Sequence, residues 1–425
     1  MLKHKLFKNT FIYMFAEIIN KAVPFLLLPI LTTYLTPKDY GIVATYTAYI
    51  SILAVFVQLS MPGAVNVNFF KLSKENLKIY IINVFLILFS TAFIILSIIY
   101  LFQDELSTKF DIKPLWLLLG GIVVFAQSFT LINLVLWQAE QNPKSYAIYQ
   151  LSFMLINTLF VLLFVVYYKL GWEGQLIGQT LAVFIFFILS LLFIFKRGYL
   201  GFSMNLDYVK DALKFGVPLI PHTLSGWFKT GVDRIFITSF VGTTATGIYA
   251  LGYQLGMILG ILAIAFNQAF SPWLYKKLTN ITEESKYILV KYTYLYFLSI
   301  LLLAWFISYI MPWFIINFID IKYVSSIELI PWIVFGYAFQ GMYFMVVNYI
   351  FFMKKTVPLA ITTFICGALH ALLSYFLIKN YASLGAAYAT TISYFLTFVA
   401  VWILSYKTYP MPWSLGFIKK IRSIN

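Results

Sequence analysis

The sequence predicts an all-α polytopic membrane protein of about twelve transmembrane helices, and three observations carry that prediction. Of 425 residues, 62% are apolar and only 11% are charged, with a mean hydropathy of +0.88. Soluble globular chains run at roughly 45–50% apolar and about 25% charged, so a water-soluble enzyme is excluded. The apolar residues fall in long blocks of about 20, the length of one helical crossing, separated by short polar punctuation. Those blocks do not alternate as barrel strands would, as residues 83 to 102 (NVFLILFSTAFIILSIIYLF) show.

Taken in order, the crossings are expected near 10–34, 41–64, 80–102, 114–138, 146–168, 174–195, 213–240, 247–271, 287–311, 327–352, 357–378 and 384–406. The first begins like a signal peptide, MLKHKLFKNTFIYMF. Glu17 and Lys21 interrupt its apolar stretch and no small-residue cleavage site follows, so it reads as an uncleaved span. Pro24, Pro29, Pro62, Pro218, Pro221, Gly226 and Gly231 fall inside spans and predict kinks, which bilayers tolerate when neighbouring groups re-satisfy the backbone. No connection has room for a soluble domain; the longest are Lys196 to Ala212 and the tail after Tyr406. The single cysteine, Cys366, lies in an apolar run and reads as a small core residue.

Net charge is +15, from 30 Lys and Arg against 15 Asp and Glu. Nucleic acid is not the expected partner, because the basic residues sit between apolar spans, where they set topology and meet anionic headgroups of the lipid bilayer. Segments on the side of the N-terminus hold 21 Lys and Arg, and those on the opposite side hold 6. That bias predicts both termini in the cytoplasm.

An internal repeat appears at an offset of 206 residues: 31–53 (LTTYLTPKDYGIVATYTAYISIL) lies over 237–259 (ITSFVGTTATGIYALGYQLGMIL). It matches Thr32 with Thr238, Gly41 with Gly247, Ile42 with Ile248 and Ala44 with Ala250, and carries span 1 onto span 7 and span 2 onto span 8. The expected organisation is two six-helix lobes in parallel repeat: an N-lobe, 1–200, and a C-lobe, 201–425, ending in a short cytoplasmic tail. Such repeats place a transporter's substrate between them near the midplane.

Ionisable residues inside spans are costly, about 2.5–3.5 kcal/mol at a helix centre, and mark function. Span 1 holds Glu17 and Lys21; span 7 holds His222, Lys229, Asp233 and Arg234. His222, Ser225, Gly226, Lys229 and Asp233 recur at helical spacing as one polar stripe, flanked by Arg234. Glu17 with Lys21 and Lys229 with Asp233 are also i,i+4 pairs able to neutralise each other. The basic members of Glu17, Lys21, Lys229, Asp233 and Arg234 outnumber the acidic ones, so the favoured reading is a cavity that receives an anionic group, Arg being the natural bidentate partner for phosphate. Other intramembrane Asn and Gln, and His370, read as interhelical hydrogen bonding. No metal-ligand cluster, phosphate-cradling glycine loop, Walker motif or catalytic set is present, so no cofactor, no metal and no enzymatic activity are expected.

The string FGVPLIPHTLSGWFKTGVDRIFITSFVGTTATGIYALGYQLG, 215–256, with SPW at 271–273, resembles the second-half signature of the Wzx-type polysaccharide flippases. PFLLLPILTTYLTPKDYGIVA, 24–44, resembles their N-terminal signature, so the resemblance covers essentially the whole chain. It points to the multidrug, oligosaccharidyl-lipid and polysaccharide exporter superfamily. The resemblance implies a MATE-like V of two six-helix bundles, moving an undecaprenyl-pyrophosphate-linked oligosaccharide across the bacterial plasma membrane by alternating access. It also implies O-antigen, capsular or exopolysaccharide repeat units as cargo and a polysaccharide polymerase or chain-length machinery downstream. The family's DR pair falls on Asp233 and Arg234. Two other classes stand beside it. A drug/cation antiporter shares the shape but calls for an acidic cavity, and a polytopic glycan polymerase or ligase calls for a large outer loop, whereas 103–113 is short.

Overall fold

A computed structural model of the chain describes residues 12, 16, 19, 20, 22–279 and 281–414. Glu17 and Lys21 lie outside the described residues. Among the described residues all regular structure is helical, and nine segments are long and apolar enough to cross a membrane. The ninth, α16 (Thr356–Thr408), runs 53 residues, about 80 Å if straight, and so has to contain two crossings. It does: Ala382 leaves helical geometry (φ 52°, ψ −138°), and a side chain on Gly385 would stand 2.1 Å from the Leu377 carbonyl oxygen as the chain doubles back. Spans 2 to 6 and 8 to 12 are thereby accounted for. Span 7 is two helices too short to count singly, and span 1 is described only in part, including α1 (Leu28–Tyr34).

Local chemistry sets the ends. Thr36 and Asp39 form a reciprocal capping box at the start of α2 (Pro37–Gln58), with Pro37 in the first turn where its missing N–H is harmless. Ser73 caps α4 (Lys74–Leu101) through Asn76 N. Span 2 is longer than one helix and breaks at Leu59 and Ser60, both left-handed (φ 44° and 54°), before α3 (Met61–Phe69) resumes with Pro62 in its first turn. The predicted kink at Pro62 is thus a complete break, because proline fits a first turn better than an interior, whereas Gly231 kinks span 7 while keeping its N–H bonded to the Trp227 carbonyl (2.8 Å).

The chain divides by packing into two units, Met1–Gly247 and Ile248–Asn425. In the first, α4 packs with α6 (Pro114–Ala139) around Tyr80, Ile81, Val84, Leu88, Phe129 and Ile132. Gly178 of α8 (Gly171–Lys196) lets it close on α7 (Pro143–Leu162) to within 2.7 Å of where its Cβ would stand. The linker helix α9 (Leu206–Gly216) also belongs to this unit: Ala212 is in the same core, and Gly216 abuts the Leu59 carbonyl at the break of span 2.

The second unit has α15 (Ile330–Phe352) at its centre, against α13 (Ile258–Thr279), α14 (Glu283–Phe318) and α16. Several of its buried polar side chains pair with one another. Asn348 donates to Asn267 Oδ1 (2.8 Å) and accepts from the Tyr275 hydroxyl (3.1 Å), while the Tyr337 hydroxyl donates to Tyr253 (2.8 Å). The His370 ring lies between Ser393 (2.8 Å) and Ser374 (3.4 Å), as its reading as a hydrogen-bonded core histidine requires.

Candidate functional site: the broken seventh span

Span 7 is α10 (Ile220–Thr230) and α11 (Val232–Phe240), meeting at Gly231. A side chain at 231 would stand 2.5 Å from Trp227 Nε1, and that indole is committed to donating to the Ala48 carbonyl of α2 at 3.0 Å. The polar stripe therefore runs unbroken only to Thr230. Along it His222 and Gly226 are exposed, Ser225 is buried and Lys229 is half-buried. Beyond the break Asp233 is 1% exposed and Arg234 is half-buried. The Arg234 guanidinium donates to the Thr230 carbonyl across the discontinuity. Span 7 thus holds its charged residues at a helix discontinuity facing span 2, the type of backbone irregularity a membrane protein tolerates where it lines protein or water.

Past the charges, span 7 joins α2 and α12 (Thr243–Gly256) through hydroxyls. Thr238 Oγ1 lies 2.6 Å from Thr45 Oγ1 and 2.7 Å from Thr246 Oγ1, all three residues buried. Beside this chain the two repeats cross at their matched glycines. A Cβ on Gly41 would stand 1.8 Å from the Thr243 carbonyl oxygen, and one on Gly247 would stand 1.9 Å from the Pro37 carbonyl oxygen. The 206-residue offset relates Pro37 to Thr243 as it relates Gly41 to Gly247, so this is one contact seen from each repeat. Only glycine permits backbones to approach so closely.

Over the crossing lies α5 (Gln103–Phe110), where the sequence showed only a short connection. Asp111 follows it in left-handed geometry (φ 54°), accepts a hydrogen bond from Thr243 Oγ1 (2.5 Å) and lies 3.9 Å from Lys38 Nζ. It therefore ties the starts of α2 and α12 together. Sequence reasoning missed Thr45, Thr246 and Asp111; the Gly41/Gly247 and Thr32/Thr238 identities of the repeat were the available signal.

At the opposite, linker end of the first unit, Arg197 pairs with Glu140 (3.0 Å), donates to Asn133 and lies 4.8 Å from the Trp137 ring. The Tyr199 hydroxyl donates to Glu140 (2.7 Å); burial, then the adjacent carboxylate, holds that phenol above its ordinary range. Asp211 of the linker helix accepts from Asn68 (3.2 Å) and Tyr80 (3.1 Å). These contacts fix the linker to α3, α4 and α6. Among the described residues no three His, Cys, Asp or Glu side chains come together to hold a metal.

Among the described residues the chain is an all-helical polytopic membrane protein, with the charges of span 7 gathered at a helix discontinuity. The chain belongs to the polysaccharide biosynthesis protein family, whose model matches residues 6–278. It is 28% identical over 364 residues to protein 1 of the Lsg locus of Haemophilus influenzae, covering 83% of this chain and 86% of the relative. Its fold is that of the lipid II flippase MurJ in an inward closed conformation (TM-score 0.74, 14% identity, 94% of this chain and 88% of that one). It is likewise that of an inward-facing multidrug resistance MATE family transporter of the MOP superfamily (TM-score 0.72, 12% identity, 90% and 94%). Those neighbours are a flippase and a transporter, not enzymes.

Proposed function

We propose that this protein is a flippase that moves undecaprenyl-pyrophosphate-linked oligosaccharide repeat units across the bacterial plasma membrane, from the cytoplasmic to the outer leaflet. The observation that carries the proposal is the charge of span 7, which is net basic in a chain of the polysaccharide biosynthesis family with a transporter fold. A diphosphate needs cations in a site of low dielectric, and Arg234 and Lys229 supply them, with His222 at the entrance. The proposed cavity also takes in Asp233, the sequence partner of Lys229, and the charged pair of span 1, Glu17 with Lys21. The lobes 1–200 and 201–425 alternate access, with both termini cytoplasmic by the 21 to 6 basic bias, and an ion gradient drives the cycle.

The test is the leaflet distribution of lipid-linked glycans in a deletion strain. Lipid-linked repeat units should accumulate on the cytoplasmic side, and the wild-type gene should restore their export. A deletion strain with normal outer-leaflet glycan and raised sensitivity to cationic drugs would overturn the reading in favour of a drug/cation antiporter.

A further inference from the structure

The segment between α8 and α9 has features that flipping does not use. It does not loop freely into water. Gly201 runs along α4 at Lys78, where a Cβ would stand 3.2 Å from the Lys78 carbonyl, and Asn83 then donates to the Ser203 carbonyl (3.1 Å) and accepts from Asn205 N (2.9 Å). Asn83 is fully buried and nine residues beyond Lys74, about 14 Å along the helix. Irregular backbone held at that depth needs its polar groups satisfied by the protein, and Asn83 does this from the side of α4.

With its backbone turned to α4, the segment exposes its apolar side chains: Phe202 is 92%, Met204 68% and Leu206 61% exposed. They continue the lipid-facing surface of α4, where Phe89 and Phe93 are exposed, and of α8, where Phe195 is exposed. Lys74, Lys196, Lys210 and Lys214 are exposed around it. The nearby acids do not cancel them: Glu75 is paired with Lys78, and the two carboxylates of α9, Asp207 and Asp211, stand against four exposed lysines.

We infer that residues 201–206 form a leaflet anchor, in which Phe202, Met204 and Leu206 insert among acyl chains while Lys74, Lys196 and Lys210 hold anionic phospholipid headgroups. Apolar side chains beside a basic rim fit that partner, since both terms of interfacial binding are present. The inference depends on the membrane-spanning fold and not on the identity of the cargo.

The test uses the full-length protein with Cys366→Ser and Phe202→Cys, labelled with an environment-sensitive dye. It is reconstituted in nanodiscs of phosphatidylcholine with or without phosphatidylglycerol. The dye should be quenched by shallow doxyl-labelled lipid and protected from aqueous iodide, and Met204→Cys should behave alike. Combined Lys74→Gln, Lys196→Gln and Lys210→Gln should lower the preference for retained phosphatidylglycerol over phosphatidylcholine by at least about fivefold, the effect of one basic residue near an anionic surface. Iodide quenching of both labels in nanodiscs, or an unchanged lipid preference in the triple variant, overturns the inference. So does protection in native membranes that is lost in nanodiscs, which would assign the surface to a protein partner.

Discussion

Replacing Gly41 by alanine tests whether the glycine crossing is the closure on the side facing away from the linker. The added methyl would stand 1.8 Å from the Thr243 carbonyl oxygen, where ordinary contact begins near 3.4 Å. Both groups belong to helix backbones, so neither can rotate aside, and α2 and α12 have to separate by roughly 1.5 Å. Overpacking of this kind costs about 2 kcal/mol, which shifts the ratio of closed to open crossing by about 30-fold. In a Cys366→Ser background, Thr45→Cys places a buried thiol at the crossing, and its reaction with an impermeant maleimide in intact cells reads the opening. Gly41→Ala should raise that rate by about 30-fold, and Gly247→Ala, whose methyl would stand 1.9 Å from the Pro37 carbonyl, by a similar factor. Gly226→Ala, which meets nothing within 4 Å, should leave it unchanged. An unaltered rate in correctly inserted Gly41→Ala protein would show that the crossing does not gate access, and the reasoning would fail.

For the charges of span 7, Arg234→Ala should abolish export at normal membrane abundance, Arg234→Lys should rescue it partly because the bidentate fork is lost, and Lys229→Ala should be milder. Loss of abundance in Arg234→Ala that Asp233→Ala restores would instead make these residues packing pairs. For topology, again with Cys366→Ser, single cysteines near residues 3 and 420 should be shielded from an impermeant thiol reagent in intact cells, whereas one at Gln103 should react; labelling of either terminus reverses the orientation. For the turn between the last two crossings, Ala382→Gly should stabilise the purified protein by about 1 kcal/mol, seen as a higher Tm, because a left-handed φ of 52° strains alanine and not glycine. An unchanged or lower Tm would count against strain at that position.

The membrane class and the segments that cross were legible because apolar runs of the right length have few alternatives in a chain this poor in charge. The breaks were legible only where proline or glycine marked them. Pro62 marked the break of span 2, but not the left-handed geometry of Leu59 and Ser60 before it, where Gly216 closes on the Leu59 carbonyl from more than 150 positions away. The stripe on span 7 followed from ideal helical spacing, which cannot foresee that Trp227 turns back to α2 and leaves no room for a side chain at 231. Asp111 and the Glu140–Arg197 pair were invisible for another reason. Each is an ordinary loop charge in sequence, and its partner is set by tertiary structure.

The division of span 7 bears on how the chain enters the membrane. Its helices of 11 and 9 residues reach about 16 Å and 14 Å, so neither alone spans a hydrocarbon core of about 30 Å. Lys229, Asp233 and Arg234 add on the order of 8 kcal/mol at the centre on insertion scales, which the flanking apolar residues offset only by a few tenths each. A translocon sampling this segment by itself has little reason to release it sideways. What receives it is α2, synthesised well before, whose Ala48 carbonyl waits for an indole 179 residues later in the chain. Sequential insertion is the expected outcome: a fragment beginning at residue 201 should leave span 7 outside the bilayer, and co-expression of the preceding six spans should draw it in.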